Sequence, residues 1–447
     1  MANSFFSDLL TSITESGRAL LSRGEWRGDG RDPVGALLAL SGALLSGRGE
    51  ASGTAMASEA LARYAALSPP DRLKFFSALL DGFGPDTARL GTALEAWRDT
   101  PSADSAQEIH YASEPRRQEL FRRLNRAPGG TAALVSMRAD LLSVLGDRPQ
   151  LHGLDRDLAH LLGSWFNRGF LVLQRIDWSS PANILEKIIR YEAVHAIRDW
   201  DDLRRRIDPP DRRCYAFFHP ALVDEPLIFV EVALTSAIPA AIAPLLEEDR
   251  SVLPQSAART AVFYSISNCQ QGLAGISFGN FLIKQVVEEL RRDLPRLDTF
   301  VTLSPIPGFG RWLRSQHVLG EELAALADDP AWPDSHDEAE RLRKILEPLA
   351  AAYLLAGKTA TGRPLDPVAR FHLGNGARLE RLNWLGDTSR KGLAEAAGMM
   401  VNYLYALDSI ERNHEAYAER GDIIAAPTVR RLAATRPLPL PAKAEVP

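Results

Sequence analysis

Cysteine is scarce in this chain, with two in 447 residues, Cys214 and Cys269. Two thiols cannot build a disulfide framework or a four-thiolate zinc site, and so few suit a reducing compartment, which makes a cytoplasmic protein the expectation. Basic excess is also missing: 52 Lys and Arg face 57 Asp and Glu, a formal net charge of −5. That is not the electrostatic footprint of a general nucleic-acid binder. The most apolar stretch, 226–246, is interrupted by Glu231, Pro239 and Pro244, each costly in a lipid-spanning helix. It reads as a buried strand followed by a helix, and no membrane partner is expected. Residues Met1 to Asp8 carry an acid and no basic region before an apolar core, so they do not read as a secretory signal. None of the nine histidines shows H-x-x-x-H or H-E-x-x-H spacing, so no metal site is expected. A Walker pattern and a dinucleotide fingerprint are likewise missing, which makes ATP and NAD poor fits.

What is present is ordinary globular material, 45% hydrophobic and 24% charged, enough to build a core over two or three domains. The first 168 residues read as helices. Phe5, Phe6, Leu9, Leu10 and Ile13 recur at helical spacing, as do Leu73, Phe76, Leu79 and Leu80, and later Leu134, Met137, Leu141 and Leu145. Ser68-Pro69-Pro70 supplies a cap and first-turn prolines for the second of these. With no polar constellation, this part reads as a structural and self-association module. From residue 169 the character changes. Strand candidates run over 170–176, Cys214–Phe218, Leu227–Leu234, Ala261–Ser267 and Thr299–Leu303, rich in Val, Ile, Phe and Tyr. Helices are expected from Ser180-Pro181, over Phe278–Leu290 and over Thr388–Leu407. The charged segment Gly320–Ala356 reads as helical, an insertion or a lid-like excursion. The expected fold class is therefore α+β: an all-helical domain over 1–168, then a mixed-sheet domain over 169–447.

The loop Ala274-Gly275-Ile276-Ser277-Phe278-Gly279-Asn280 has three readings. It can be a plain strand-to-helix turn in which glycine permits tight geometry. Gly275-Ile276-Ser277-Phe278-Gly279 also matches the G-x-S-x-G nucleophile elbow, but that serine must sit directly after a strand, and the strand here ends about ten residues earlier. The third reading is a phosphate cradle, with backbone N–H groups aimed outward at the start of a helix. In this the loop resembles the pyrophosphate loop of the GNAT acyltransferases, which bind coenzyme A, although Ala274 and Ser277 depart from that family's Arg/Gln-x-x-Gly-x-Gly/Ala pattern.

Further segments carry a more specific resemblance. Thr302-Leu303-Ser304-Pro305-Ile306-Pro307-Gly308-Phe309, Phe371-His372-Leu373-Gly374-Asn375-Gly376-Ala377, Leu382-Asn383-Trp384 and Asn402-Tyr403-Leu404-Tyr405 together resemble the malonyl-CoA decarboxylase family, as do Gln270 to Leu273 and Phe281 to Lys284. The resemblance spans about Gly169 to Leu407. It implies a helical oligomerisation domain joined to a GNAT-like catalytic domain, and conversion of malonyl-CoA to acetyl-CoA and carbon dioxide by a homo-oligomer, dimer or tetramer. It places the family's catalytic serine on Ser304, its histidine on His372 and its CoA-contacting loop on Ala274 to Asn280.

Loss of carbon dioxide from a malonyl thioester leaves an enolate for which the thioester is the electron sink, so no metal or organic cofactor is required. The needs are an oxyanion donor and a proton for carbon. A serine at a strand end ahead of Pro-x-Pro is a donor held in place, and a histidine can donate near neutral pH. His372 would then polarise the thioester while Ser304, directly or through water, protonates the α-carbon, or the roles are exchanged. Two other functions stay open at this point: a CoA-dependent acyltransferase, and a non-catalytic CoA-sensing scaffold. Arg204 to Arg206 with Arg212 and Arg213 read as a basic face near a turn, with the CoA 3′-phosphate as their alternative partner. Tyr403 and Tyr405 read as core residues of a helix, either hydroxyl able to reach the acyl group.

Overall fold

The computed structural model describes residues 32–46, 49–276, 278, 282–315 and 332–435. The expected helix around Phe5–Ile13, the tail from Pro437 and residues Ser277, Gly279 and Asn280 lie outside them. The chain divides into two compact units, one of 1–172 with 218–225 and 270–278, the other of the remaining residues.

The first unit is helical, as the spacing of apolar residues predicts. Its described helices are α1 (Pro33–Leu44), α2 (Glu50–Ala66), α3 (Pro69–Gly82), α4 (Thr87–Asp99), α5 (Ala103–Ser113), α6 (Arg116–Leu124), α7 (Gly130–Val144) and α8 (His152–Trp165). Ser68 caps α3 by accepting from the Asp71 N–H, with prolines in the first turn. One core gathers Leu40, Met56, Phe76, Leu120, Leu141 and Leu158 from six of these helices. A buried Arg117–Asp157 pair at 2.6 Å joins α6 to α8.

The second unit is built on an eight-stranded mixed sheet in the order β1-β2-β3-β4-β5-β8-β6, with β7 paired to β8. The strands are β1 (Val172–Ile176), β2 (Arg212–Phe218), β3 (Pro226–Thr235), β4 (Thr260–Asn268), β5 (Thr299–Thr302), β6 (Ser304–Pro305), β7 (Arg378–Asn383) and β8 (Met400–Leu404). β3 and β4 are antiparallel, with a bulge opposite Glu231/Val232. β4 and β5 are parallel and pair only from Thr260↔Thr299 to Phe263↔Thr302. Between them runs the helix α9 (Leu282–Asp293), whose Ile283, Val286, Val287 and Leu290 are buried.

One expectation fails here. Thr388–Leu407 is not one helix: a short helix, Arg390–Ala396, ends where Ala397 and Gly398 take φ of 49° and 73°, and the chain re-emerges as β8. The cause is burial on both faces, which makes a central strand read as a continuous apolar run and hides its period of two. The described part of 320–356 is helical, as expected. It is the helix α10 (His336–Ala356), whose second half, from Leu346 through Leu354, is largely buried.

Of the five arginines expected on a basic face, Arg204 is exposed and Arg205 half-buried, pairing with Asp208 and Glu248, while the other three are not on the surface. Arg206, Arg212 and Arg213 are buried and spend their donors on backbone carbonyls, those of His195, Leu245 and Pro210 among them. A guanidinium so committed supports loops rather than a phosphate. Among the described residues no helix is long and apolar enough to cross a membrane.

Candidate active site

Ser304 is positioned by the sheet. It opens β6, where its backbone pairs with Val401 of β8, and Pro305 and Pro307 restrict the chain that follows. The step from β5 to β6 leaves β8 groups that the strand ladder does not reach, and side chains take them up. The Thr302 hydroxyl accepts the Tyr403 N–H at 3.1 Å, and Asn402 Nδ2 donates to the Thr302 carbonyl at 2.7 Å. Asn402 Oδ1 accepts from Asn383 at 2.9 Å and from Arg381 at 3.1 Å. Every polar atom of this fully buried asparagine amide is thus used, which is what holds a buried network in one arrangement.

His372 comes from a short helix, α11 (Pro367–Gly374), started by Asp366, whose side chain accepts from Val368 N and Ala369 N. The same carboxylate accepts the Gly308 N–H at 3.2 Å. One buried acid therefore ties the start of the histidine's helix to the Pro-Ile-Pro-Gly turn that follows Ser304. Gly308 is required by this approach, because a Cβ there would lie 2.3 Å from the Tyr353 hydroxyl. The Asn-Gly after the helix is its stop. Asn375 Nδ2 donates to Phe371 O, and Gly376 takes φ of 82°.

These elements bring Ser304 and His372 together across 68 residues, Ser304 Oγ standing 3.1 Å from His372 Nε2. The other imidazole nitrogen, Nδ1, is 2.8 Å from the Tyr405 hydroxyl, and the ring stacks on Tyr403 at 4.7 Å between centroids. Ser304 Oγ in turn donates to Thr302 Oγ1 at 2.9 Å. With that hydrogen directed at Thr302, Nε2 carries the imidazole proton and donates to Ser304, while Nδ1 accepts from Tyr405. Ser304 is 6% exposed and His372 3%. Tyr405 is the functional candidate that residue type alone undervalues, since an aromatic in an apolar run reads as core.

Burial pushes the His372 imidazole down to about 3, so at neutral pH it is uncharged, and the Tyr405 phenol is held well above its usual range by the same cause. A histidine lowered from 6.5 refuses in the fold a proton that the unfolded chain accepts. Stability is therefore lost as pH falls below about 6.5 and toward 3, by up to about 1.4 kcal/mol per pH unit from this group. Thermal denaturation between pH 7 and 5 is expected to show a shallower loss in His372→Gln than in the parent. Equal slopes would remove His372 from the linkage.

Of the loop expected to contact CoA, Ala274, Gly275, Ile276 and Phe278 are described and belong to the helical unit. Gly275 takes φ of 77°, as a glycine-dependent turn requires. Among the described residues no group of three His, Cys, Asp or Glu side chains converges to hold a metal ion.

Two family models match consecutive parts of the chain. The malonyl-CoA decarboxylase N-terminal domain matches residues 83–166 and the malonyl-CoA decarboxylase C-terminal domain residues 169–443. The mitochondrial malonyl-CoA decarboxylase of Anser anser anser is 39% identical over 387 residues, covering 77% of this chain and 76% of that protein. That of Rattus norvegicus is 36% identical over 404 residues, 81% of this chain and 82% of the other. The crystal structure of malonyl-CoA decarboxylase from Rhodopseudomonas palustris superposes with a TM-score of 0.86 at 62% identity, covering 89% of this chain and 99% of that one. The Agrobacterium vitis enzyme gives 0.83 at 56% identity with the same coverage.

Proposed function

The chain belongs to the malonyl-CoA decarboxylase family, and from this we propose that it converts malonyl-CoA to acetyl-CoA and carbon dioxide, with Ser304 presenting its hydroxyl to the substrate and His372 standing behind it. The observation that carries the reading is the 3.1 Å contact between Ser304 Oγ and His372 Nε2. Both imidazole nitrogens are occupied by hydroxyls of the protein, which supports a histidine acting through Ser304 rather than on the thioester itself. The bond between the carboxylate carbon and Cα breaks, its electron pair enters the thioester enolate and carbon dioxide leaves. The Ser304 hydrogen turns from Thr302 to the substrate and is transferred to the α-carbon. The proton lost is replaced from solvent by way of the hydrogen-bonded chain, one proton being taken up per turnover. An oriented donor of this kind supplies about 3–4 kcal/mol of transition-state stabilisation. His372 is therefore a positioning residue, Ser304 the catalytic one, and no acyl-enzyme forms.

The substrate's long arm has support elsewhere in the sheet. The β4–β5 ladder stops at Phe263↔Thr302, while β4 continues to Asn268 against β3 alone. Among the described residues, Ser265 to Asn268 have no strand on that edge, and an unpaired strand edge suits the amides of a pantetheine arm. In this reading the phosphates rest on Ala274 to Asn280. The thioester is its own electron sink, so the proposal includes no cofactor. It also includes a cytoplasmic setting and a homo-oligomer, dimer or tetramer, the latter supported by Trp97 and Tyr111, which stand exposed on α4 and α5.

Incubating the purified chain with malonyl-CoA alone is expected to yield acetyl-CoA and carbon dioxide in equal amounts, read by mass spectrometry. Release of free CoA only, or no change without an added amine or alcohol, would sink the decarboxylase reading in favour of acyl transfer or of binding without turnover.

A further inference from the structure

The helical unit contains a contact that the reaction as described does not use. Arg138 of α7 is 4% exposed. Its Nε donates to Asp155 Oδ1 at 2.8 Å, and its Nη1 donates to two carbonyls, Gly272 O at 2.7 Å and Ala274 O at 2.9 Å. Beside this fork the loop touches the backbone of α7 itself: a Cβ on Gly272 would lie 1.8 Å from Val135 O. Only glycine allows that approach. The segment is further closed by Ala274 N–H to Gln271 O and Ile276 N–H to Leu273 O.

The consequence lies in the peptide plane. In a trans peptide the C=O of one residue and the N–H of the next point in opposite directions. Drawing the Ala274 carbonyl onto Arg138 therefore turns the Gly275 N–H away from the guanidinium. That N–H makes no hydrogen bond among the described residues, and it belongs to a glycine at φ of 77°. Outward N–H groups in such a turn are the donors an anion uses. Asp155 neutralises Arg138 and burial shields it, so the arginine is not itself a phosphate ligand.

We propose that Arg138 is a positioning residue for CoA binding, aiming the Gly275 N–H at the substrate phosphates through the Gly272 and Ala274 carbonyls. The proposal rests on the reading of Ala274 to Asn280 as the CoA loop. It predicts a change in affinity without a change in the bond-breaking step.

The test uses the full chain and three variants, with steady-state kinetics on malonyl-CoA and calorimetric titration with CoA. Arg138→Met is expected to raise KM and the CoA Kd about 10- to 100-fold, as loss of charge-assisted bonds to two carbonyls would, with kcat within about threefold of the parent. Arg138→Lys, able to reach one carbonyl at a time, is expected to fall between, and it carries the test if Arg138→Met does not fold. Unchanged KM and Kd in a folded Arg138→Lys variant, or a fall in kcat at constant KM, overturns the proposal. Gly275→Asp separates the two readings, because it sets a carboxylate where phosphate would come. If it leaves CoA binding intact, the loop reading fails and this inference with it. If it abolishes binding while the Arg138 variants bind normally, only the inference fails.

Discussion

Alanine at Ser304 is expected to cut kcat for malonyl-CoA decarboxylation by about 10²- to 10⁴-fold, the range for loss of a positioned proton donor. Alanine at His372 is expected to do nearly the same, because Ser304 Oγ would lose the Nε2 partner 3.1 Å away. The two groups act as one hydrogen-bonded unit, so the double variant should be about as slow as the slower single. Additive losses would mean that serine and histidine meet the substrate independently. Tyr405→Phe leaves Nδ1 without its 2.8 Å partner, and is expected to cost about tenfold, the scale of one buried hydrogen bond. Since burial keeps His372 uncharged down to about pH 3, the kcat profile of the parent should show no limb near pH 6.5 from this residue. Initial rates from pH 5.5 to 8 check all of this, and a limb that disappears in His372→Gln would restore the charged histidine.

The second large effect is on stability. Gly376 follows the helix that carries His372, with φ of 82°, and a Cβ there would sit 2.2 Å from Ile410 O and 2.9 Å from Ile410 C and Cγ2. Gly376→Ala meets both costs, the left-handed backbone at about 1–2 kcal/mol and overpacking at about 1–3 kcal/mol. A loss of about 2–5 kcal/mol is expected, seen as a lowered midpoint in urea or thermal denaturation. Gly421→Ala is the control. Its φ is 68°, but the nearest atom to a Cβ is Gly362 O at 3.8 Å, so it should show the backbone cost alone. Equal losses at the two sites would show that Ile410 gives way and that the close approach does not matter.

How much of this the chain declares in advance depends on the length of the signal. The helical part is legible because Leu73, Phe76 and Leu79 repeat over a whole helix, and all but the partly buried Leu73 lie deep in its core. β8 is not legible: Met400 to Leu404 is five residues long and buried between neighbours on both sides, so its alternation is lost and it reads as the end of a helix. β7 escapes notice for another reason, since Arg378, Glu380 and Arg381 make Arg378–Asn383 look like a solvated segment. Ser304 and His372 are singled out by the family resemblance of their strings, not by their chemistry. A serine before proline is ordinarily a turn residue, and a histidine beside phenylalanine is ordinarily packed. What only coordinates supply is the third dimension, in which Thr302 and Tyr405 fall on either side of the pair and Arg138 reaches Gly272 across 134 residues.

The bond from Gly308 N–H to Asp366 has a consequence for how such chains can diverge. It pins two points 58 residues apart, and the buried half of α10, Leu346 through Leu354, lies between them in sequence. A carboxylate that closes so long a segment and also starts the next helix has no replacement that serves one end alone, so descendants are expected to vary elsewhere before they vary here.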